Sequence, residues 1–218
     1  MRTDGPLILA YHGVDELPWH ADPHGLFVPA DVLRRQIRRL RRAGRRFTTL
    51  GALASAVESG SAESLVALTF DDGLADNRHQ LLPVLQEEGV PATVFVIAGL
   101  IGASHPDPPN ARLLGPDEIT ELAASGVEIG SHSVAHRDLT TLSAADVVSD
   151  LRESKEILES VVRGPVDVLA YPFGRANDIV RSAAREAGFA AACEATGRGS
   201  WEDPWGLPRQ DIGPFTGT

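Results

Sequence analysis

The sequence predicts an α/β fold in which a parallel sheet of six or seven strands curls into an incomplete (β/α) barrel. Short apolar runs alternate with helix-period segments along the whole chain, and this alternation builds a parallel sheet. At 218 residues and 43% hydrophobic content the chain suits one globular domain, residues 1–218. It is short of the roughly 250 residues typical of a closed eight-stranded barrel, so six or seven strands fit an incomplete one. Residues able to carry chemistry also fall at or just after predicted strand ends: His12, Asp71, Asp72, His132, Tyr171 and Pro172. Such barrels keep their active sites at that end.

Each element has a local reason. Residues 7–11 form a first apolar strand, and 31–43 a helix whose stripe is Val32, Leu33, Ile37 and Leu40. A short strand at 46–48 and a helix at 50–59 follow, then the apolar strand 65–70 and a helix at 76–88. The next pairs are strand 92–97 with helix 116–125, and strand 127–130 with helix 143–162. Strand 168–171, helix 176–187 and strand 189–192 complete the series. Asp31 and Ser143 are expected helix N-caps, Pro116 suits a first helical position, and Gly44, Gly89, Gly126 and Gly188 lie just past helix ends. The proline-rich loop 104–110 is expected at the surface near the site rim with His105 in solvent. His20 and His24 are likewise expected to be solvated, and residues 200–218 to form an irregular wrap.

The formal net charge of −10 argues against a nucleic-acid partner, which would need a basic face. Eight arginines nevertheless crowd between Arg34 and Arg46. They form either a solvated helix face paired with acidic neighbours or a patch for an acidic polymer or membrane surface. The single cysteine, Cys193, excludes an internal disulfide framework and reads as a buried small apolar residue. No apolar run is long enough for a membrane span, and the start is too short for a secretory core. As written the chain is expected to be cytoplasmic, and exported if a leader has been removed.

The chemistry concentrates in two places. Thr69-Phe70-Asp71-Asp72-Gly73 puts two carboxylates at a strand end, pointing different ways, so that one can bind a metal while the other stays free as a base. Ser131-His132-Ser133-Val134-Ala135-His136 adds two histidines, again just after a strand. One Asp and two His suit a catalytic divalent metal with an open position.

These segments resemble the first two signature motifs of the polysaccharide deacetylase family, the carbohydrate esterases of family four. Ala170-Tyr171-Pro172-Phe173-Gly174 is similar to its Pro-aromatic-Gly loop, and the opening Leu9-Ala10-Tyr11-His12-Gly13-Val14 to the start of one branch. The resemblance covers nearly the whole chain and implies the same answer, a distorted, incomplete (β/α) barrel of about seven strands. It implies Asp71 as base and Asp72, His132 and His136 as ligands of one divalent ion, Zn²⁺ favoured over Co²⁺ or Ni²⁺. The Phe173 backbone N–H becomes the oxyanion donor. The family's late general-acid histidine has no counterpart here, because no histidine follows His136. In the permuted branch that role passes to the N-terminus, which implies His12 as acid. The family's pocket-lining leucine is Ala10 here. The arginine that precedes the motif proline in many members is also missing, which leaves Arg209 either to orient Asp71 or to be an ordinary surface arginine. Tyr171, Pro172, Trp201 and Trp205 are implied at the substrate pocket.

The expected activity is metal-dependent removal of acetyl groups from N-acetylated amino sugars in a glycan. The alternatives are O-acetyl esters or a non-sugar amide at the same site, or a non-catalytic glycan-binding module. A Mg²⁺ phosphohydrolase is disfavoured by two histidine ligands and no Gly-rich phosphate loop with Lys. Oligomeric state is not legible.

Overall fold

A computed structural model describes residues 5–18, 20–105, 111–195 and 197–213. Its centre is a curled parallel sheet ordered β7-β6-β5-β4-β3-β1-β8, with β2 paired to β3. The strands are β1 (Leu7–Tyr11), β2 (Arg46–Thr48), β3 (Leu65–Phe70), β4 (Thr93–Val96), β5 (Glu128–Ser131), β6 (Val168–Ala170), β7 (Ala191–Cys193) and β8 (Gln210–Asp211). Along one edge β3 pairs with β1, from Leu7↔Val66 to Tyr11↔Phe70. Its other edge is shared, β2 taking the first half and β4 the last two residues. Leu207 bridges to Cys193, and Gln210 and Asp211 pair with Leu9 and Ala10. One short segment thus spans the seam between the last and first strands, and the result is the distorted, incomplete barrel expected.

Side-chain alternation splits the sheet into two packing layers. Leu9, Tyr11, Val66, Leu68, Phe70, Val94, Val96, Leu169 and Ala192 face outward into the main core beneath the helices. Ile8, Ala67, Phe95, Val168, Ala170, Ala191 and Cys193 face inward and fill the barrel with Leu50, Leu53 and Leu207. The inner set is rich in small residues, as a narrow, strongly curved sheet requires. Cys193 belongs to it, buried with its thiol pushed up to about 12, and is inert.

The helices are α1 (Ala30–Arg42), α2 (Leu50–Glu58), α3 (Leu82–Glu88), α4 (Pro116–Ala124), α5 (Ala144–Val162) and α6 (Asp178–Glu186). The start of α2 plugs the amino end of the barrel. There the Leu50 N–H donates to Thr93 Oγ1 and the Gly51 N–H to the Glu128 carboxylate. Ser143 caps α5, accepting from the Asp146 N–H. Asp31 does not cap α1: the chain enters through Pro29, and Asp31 lies inside the first turn, paired with Arg35. The basic helix face follows the paired reading in part. Arg34 reaches Glu87 at 2.8 Å, and Arg38 and Arg41 reach Glu88 at 2.7 and 3.1 Å, joining α1 to α3.

Two expectations need correcting. The helix expected over 76–88 opens instead as a turn of π-helix, Asn77–Leu81, before α3. Within the expected wrap, β8 is a genuine sheet strand, though only two residues long. No helix among the described residues is long and apolar enough to cross a membrane.

Candidate active site

The inward phase of the strands continues past their ends, and this aims the site. Ala10, Thr69 and Gly130 occupy inward positions, so His12, Asp71 and His132, each two residues on, reach the carboxyl mouth. The Asp71 N–H donates to the Tyr11 carbonyl at 2.8 Å and the His132 N–H to the Val96 carbonyl at 2.9 Å, locking these extensions together. Asp72 would face outward by phase alone. Its φ of 71° turns the chain instead, and Gly73 follows at 68°. A Cβ on Gly73 would lie 3.2 Å from Val96 Cα, so the turn packs directly on β4.

The histidine loop is equally constrained. Ser133 and His136 both take left-handed φ, 66° and 51°, and the His136 N–H donates to Ser133 Oγ. From α5, buried Asp150 accepts the Val134 N–H, and Ser154 meets Ser131 at 2.8 Å. Non-glycine residues in this conformation cost energy, and their grouping here with Phe173 at 57° marks a site under functional constraint.

A cavity of about 460 Å³ opens at this mouth, lined among others by His12, Asp71, Asp72, His132, His136 and Phe173. His132 Nε2 and His136 Nε2 each lie 3.5 Å from Asp72 Oδ1. His132 Nδ1 lies 2.8 Å from the Ala170 carbonyl, which can only accept, so Nδ1 carries the proton and Nε2 presents a lone pair. Burial, followed by His132, lowers the His136 pKa to about 4, keeping it neutral at neutral pH. Burial alone would raise the Asp72 carboxyl, but the His105 contact first, then His12, hold it below the ordinary carboxylate value. Asp72 Oδ1 is buried without a hydrogen-bond partner. An anionic oxygen facing nitrogen lone pairs needs a cation between them. A tetrahedron with bonds of about 2.0–2.1 Å has edges of roughly 3.4 Å, close to the spacing found. Asp72, His132 and His136 therefore could hold a divalent metal.

Asp71 is set apart from that group. Arg209 grips it through two bonds, Nη1 to Oδ1 at 2.7 Å and Nη2 to Oδ2 at 2.8 Å. The guanidinium is held by the Glu194 carbonyl and Thr69 Oγ1 and lies over the Phe95 ring. Burial opposes ionisation of Asp71, but Arg209 first, then His132 and His12, keep its pKa below the ordinary value. Of the two sequence readings of Arg209, the surface one is excluded: it is 3% exposed.

Four expected pocket residues lie elsewhere. Tyr171 is fully buried, its hydroxyl donating to the Trp205 carbonyl, and Pro172 is buried. Trp205 spends its indole N–H on the Phe189 carbonyl and its ring face on Arg185. Trp201 packs on the inner barrel cluster. None of the four lines the cavity. Phe173 does, 55% exposed with its ring 4.7 Å from that of His136. His105 is also corrected: it is 3% exposed, with Nε2 3.6 Å from Asp72 Oδ2 and its ring edge-on to His136. His24 lines the cavity from an exposed position, and His20 is exposed. Residues 106–110, the rest of the expected rim loop, lie outside the described residues.

Residues 59–192 match the family model for polysaccharide deacetylase. The chain belongs to the polysaccharide deacetylase family. It is 31% identical over 157 residues to a chitooligosaccharide deacetylase of Sinorhizobium fredii, covering 71% of this chain and 68% of that protein. It is 44% identical over 96 residues to a chitin deacetylase of Colletotrichum lindemuthianum, covering 42% of this chain and 35% of the relative. The chain spans less than half the length of the first curated relatives it matches. Among solved structures it resembles the Streptococcus pyogenes deacetylase PplD, in complex with acetate, at a TM-score of 0.83 and 25% identity, over 96% of this chain and 92% of that one. The family-model match leaves out His12 and Arg209, whereas the structural match extends over nearly the whole chain.

Proposed function

We propose that this protein is a metal-dependent deacetylase that hydrolyses the acetamide of an N-acetylated amino sugar in a glycan. The observation that carries the reading is convergence. A carboxylate held by arginine, an Asp-His-His group and a half-buried histidine, from both ends of the chain, meet in one cavity.

Asp72, His132 and His136 would hold the ion. A divalent metal there, zinc favoured, supplies Lewis acidity that lowers the pKa of a water and draws charge from the acyl oxygen. Asp71 takes the proton from the attacking water. Arg209 keeps both Asp71 oxygens oriented and the carboxylate ionised, ready to accept. The Phe173 N–H receives the developing oxyanion. His12 donates a proton to the leaving nitrogen as the C–N bond breaks, giving acetate and a free amine. The exposed Phe173 ring offers an apolar face beside the reacting group. Relatives named as chitin and chitooligosaccharide deacetylases support an amino-sugar substrate.

Acetate release from a panel of N-acetylated sugar oligomers, O-acetyl glycans and small acetamides, with and without chelator, tests the proposal. Chelator-sensitive release from the amino sugars supports it. Release only from esters or non-sugar amides, or glycan binding without release, refutes it.

A further inference from the structure

We propose that Asp76 and Asn77 clamp the turn that carries His12, positioning that imidazole for proton donation; this rests on the reading of His12 as general acid. Asn77 is completely buried at the first position of the π-turn. Its Nδ2 donates to the His12 backbone carbonyl at 3.2 Å and to Asp76 Oδ1 at 2.8 Å. Both acceptors are oxygens, which fixes the way the amide faces. The Asp76 carboxylate in turn packs against the same turn, its Oδ2 within 2.8 Å of where a Cβ on Gly13 would lie. The two side chains, bonded to each other, thus brace the His12–Gly13 turn, Asn77 by a hydrogen bond and Asp76 by contact.

The turn has little means of holding itself. Gly13 has no side chain, and a Cβ there would lie 2.2 Å from the Phe27 ring and 2.8 Å from Asp76 Oδ2. On its far side Gly13 exchanges backbone hydrogen bonds with Leu26 and Val28. The clamp supplies the near side. Burial pushes the Asp76 carboxyl up to about 7, a cost that a plain surface turn would not carry. The wide π-turn is explained too, since such turns recur where a helix must redirect a side chain at a functional site. The clamp belongs to the segment that carries Asp71 and Asp72, so one stretch of chain sets base and acid against each other. Misplacing a reacting group by about 1 Å can cost on the order of 10²-fold in rate.

The test is a kinetic double-mutant cycle on full-length, metal-loaded protein: wild type, Asn77→Ala, His12→Ala and the double variant. Turnover is measured on an N-acetylated amino-sugar oligomer and on an activated aryl acetate, whose leaving group needs little protonation, with metal content determined on the same samples. Asn77→Ala is expected to lower kcat on the oligomer by about 10-fold with KM nearly unchanged, and to spare the aryl acetate. Metal content should not change, and in the His12→Ala background the substitution should cost nothing further. An equal loss in both backgrounds, or a parallel loss of metal, would overturn the clamp. If Asn77→Ala does not fold, Asp76→Asn disturbs the acceptor that orients the Asn77 amide while keeping the shape. It should show the same dependence on His12, and independence would again overturn the proposal. Wild-type turnover in His12→Ala alone would refute the acid assignment, and the clamp with it. A normal His12 effect beside a background-independent Asn77 effect refutes only the clamp.

Discussion

Replacing Arg209 with glutamine removes the full positive charge that is bonded to the Asp71 carboxylate. Both partners are nearly inaccessible, 3% and 5% exposed, and are joined by two charge-assisted bonds of 2.7 and 2.8 Å. Breaking a buried pair of this kind leaves an uncompensated charge and typically costs about 3–5 kcal/mol. For a chain of this size each kcal/mol moves the Tm by about 2–4 °C, so Arg209→Gln should melt roughly 6–20 °C lower at pH 8. The sign with pH follows from the depressed Asp71 pKa. In the wild type the pair's contribution is present above the unfolded carboxylate pKa near 4 and is lost only as pH falls through the lower folded value. In the variant the largest influence opposing burial is gone, so the Asp71 pKa rises and protonation relieves the buried charge earlier. The Tm gap should therefore narrow between pH 8 and pH 5. The acid limb of kcat/KM should move to higher pH, because Asp71 must be ionised to act as base. Scanning calorimetry and a pH–rate profile read both effects. A gap below about 1 kcal/mol, or one that does not change with pH, would refute the compensation argument.

His132→Ala or His136→Ala should each abolish uptake of about one zinc per chain at micromolar metal, measured by equilibrium dialysis; unchanged affinity in both would remove the Asp-His-His assignment. His105→Ala should weaken zinc binding about 10-fold in the same assay, since groups packed against a ligand orient it, and no change would leave His105 as packing only. Tyr171→Phe should cost about 1 kcal/mol of stability by denaturant unfolding, through loss of the bond to Trp205, with kcat and KM unaffected. A changed KM would return Tyr171 to the substrate pocket.

Much of this arrangement is legible in the sequence because it rests on local chemistry. The apolar runs at Leu7–Tyr11 and Leu65–Phe70 start and stop where the strands do. The same period-2 rule that makes them strands aims His12 and Asp71 into the mouth. What stayed hidden depends on distant contacts. Strand β8 is two residues long, too short for any alternation to show, and exists only because β1 offers an edge. The π-turn opens at Asn77, whose side chain donates to the His12 carbonyl, a partner far away in sequence. His105 sits in a polar, proline-rich stretch that reads as solvent-exposed, yet the Ser104↔Arg112 bridge folds it back over Asp72. An aromatic near a predicted mouth gives no sign of which way its ring faces, and Trp201 and Trp205 turn away from the cavity. Arg209 reaches Asp71 from the far end of the chain, and only its partner's burial distinguishes it from a surface arginine.

The most direct measurement is the joint yield of acetate and free amine from an N-acetylglucosamine oligomer, for zinc-loaded wild type and zinc-loaded Asp71→Asn. The account predicts equal amounts of the two products from wild type and a rate about 10²–10⁴-fold lower from Asp71→Asn at full metal content. Wild-type rates from metal-loaded Asp71→Asn, or no acetate from zinc-loaded wild type, would contradict it.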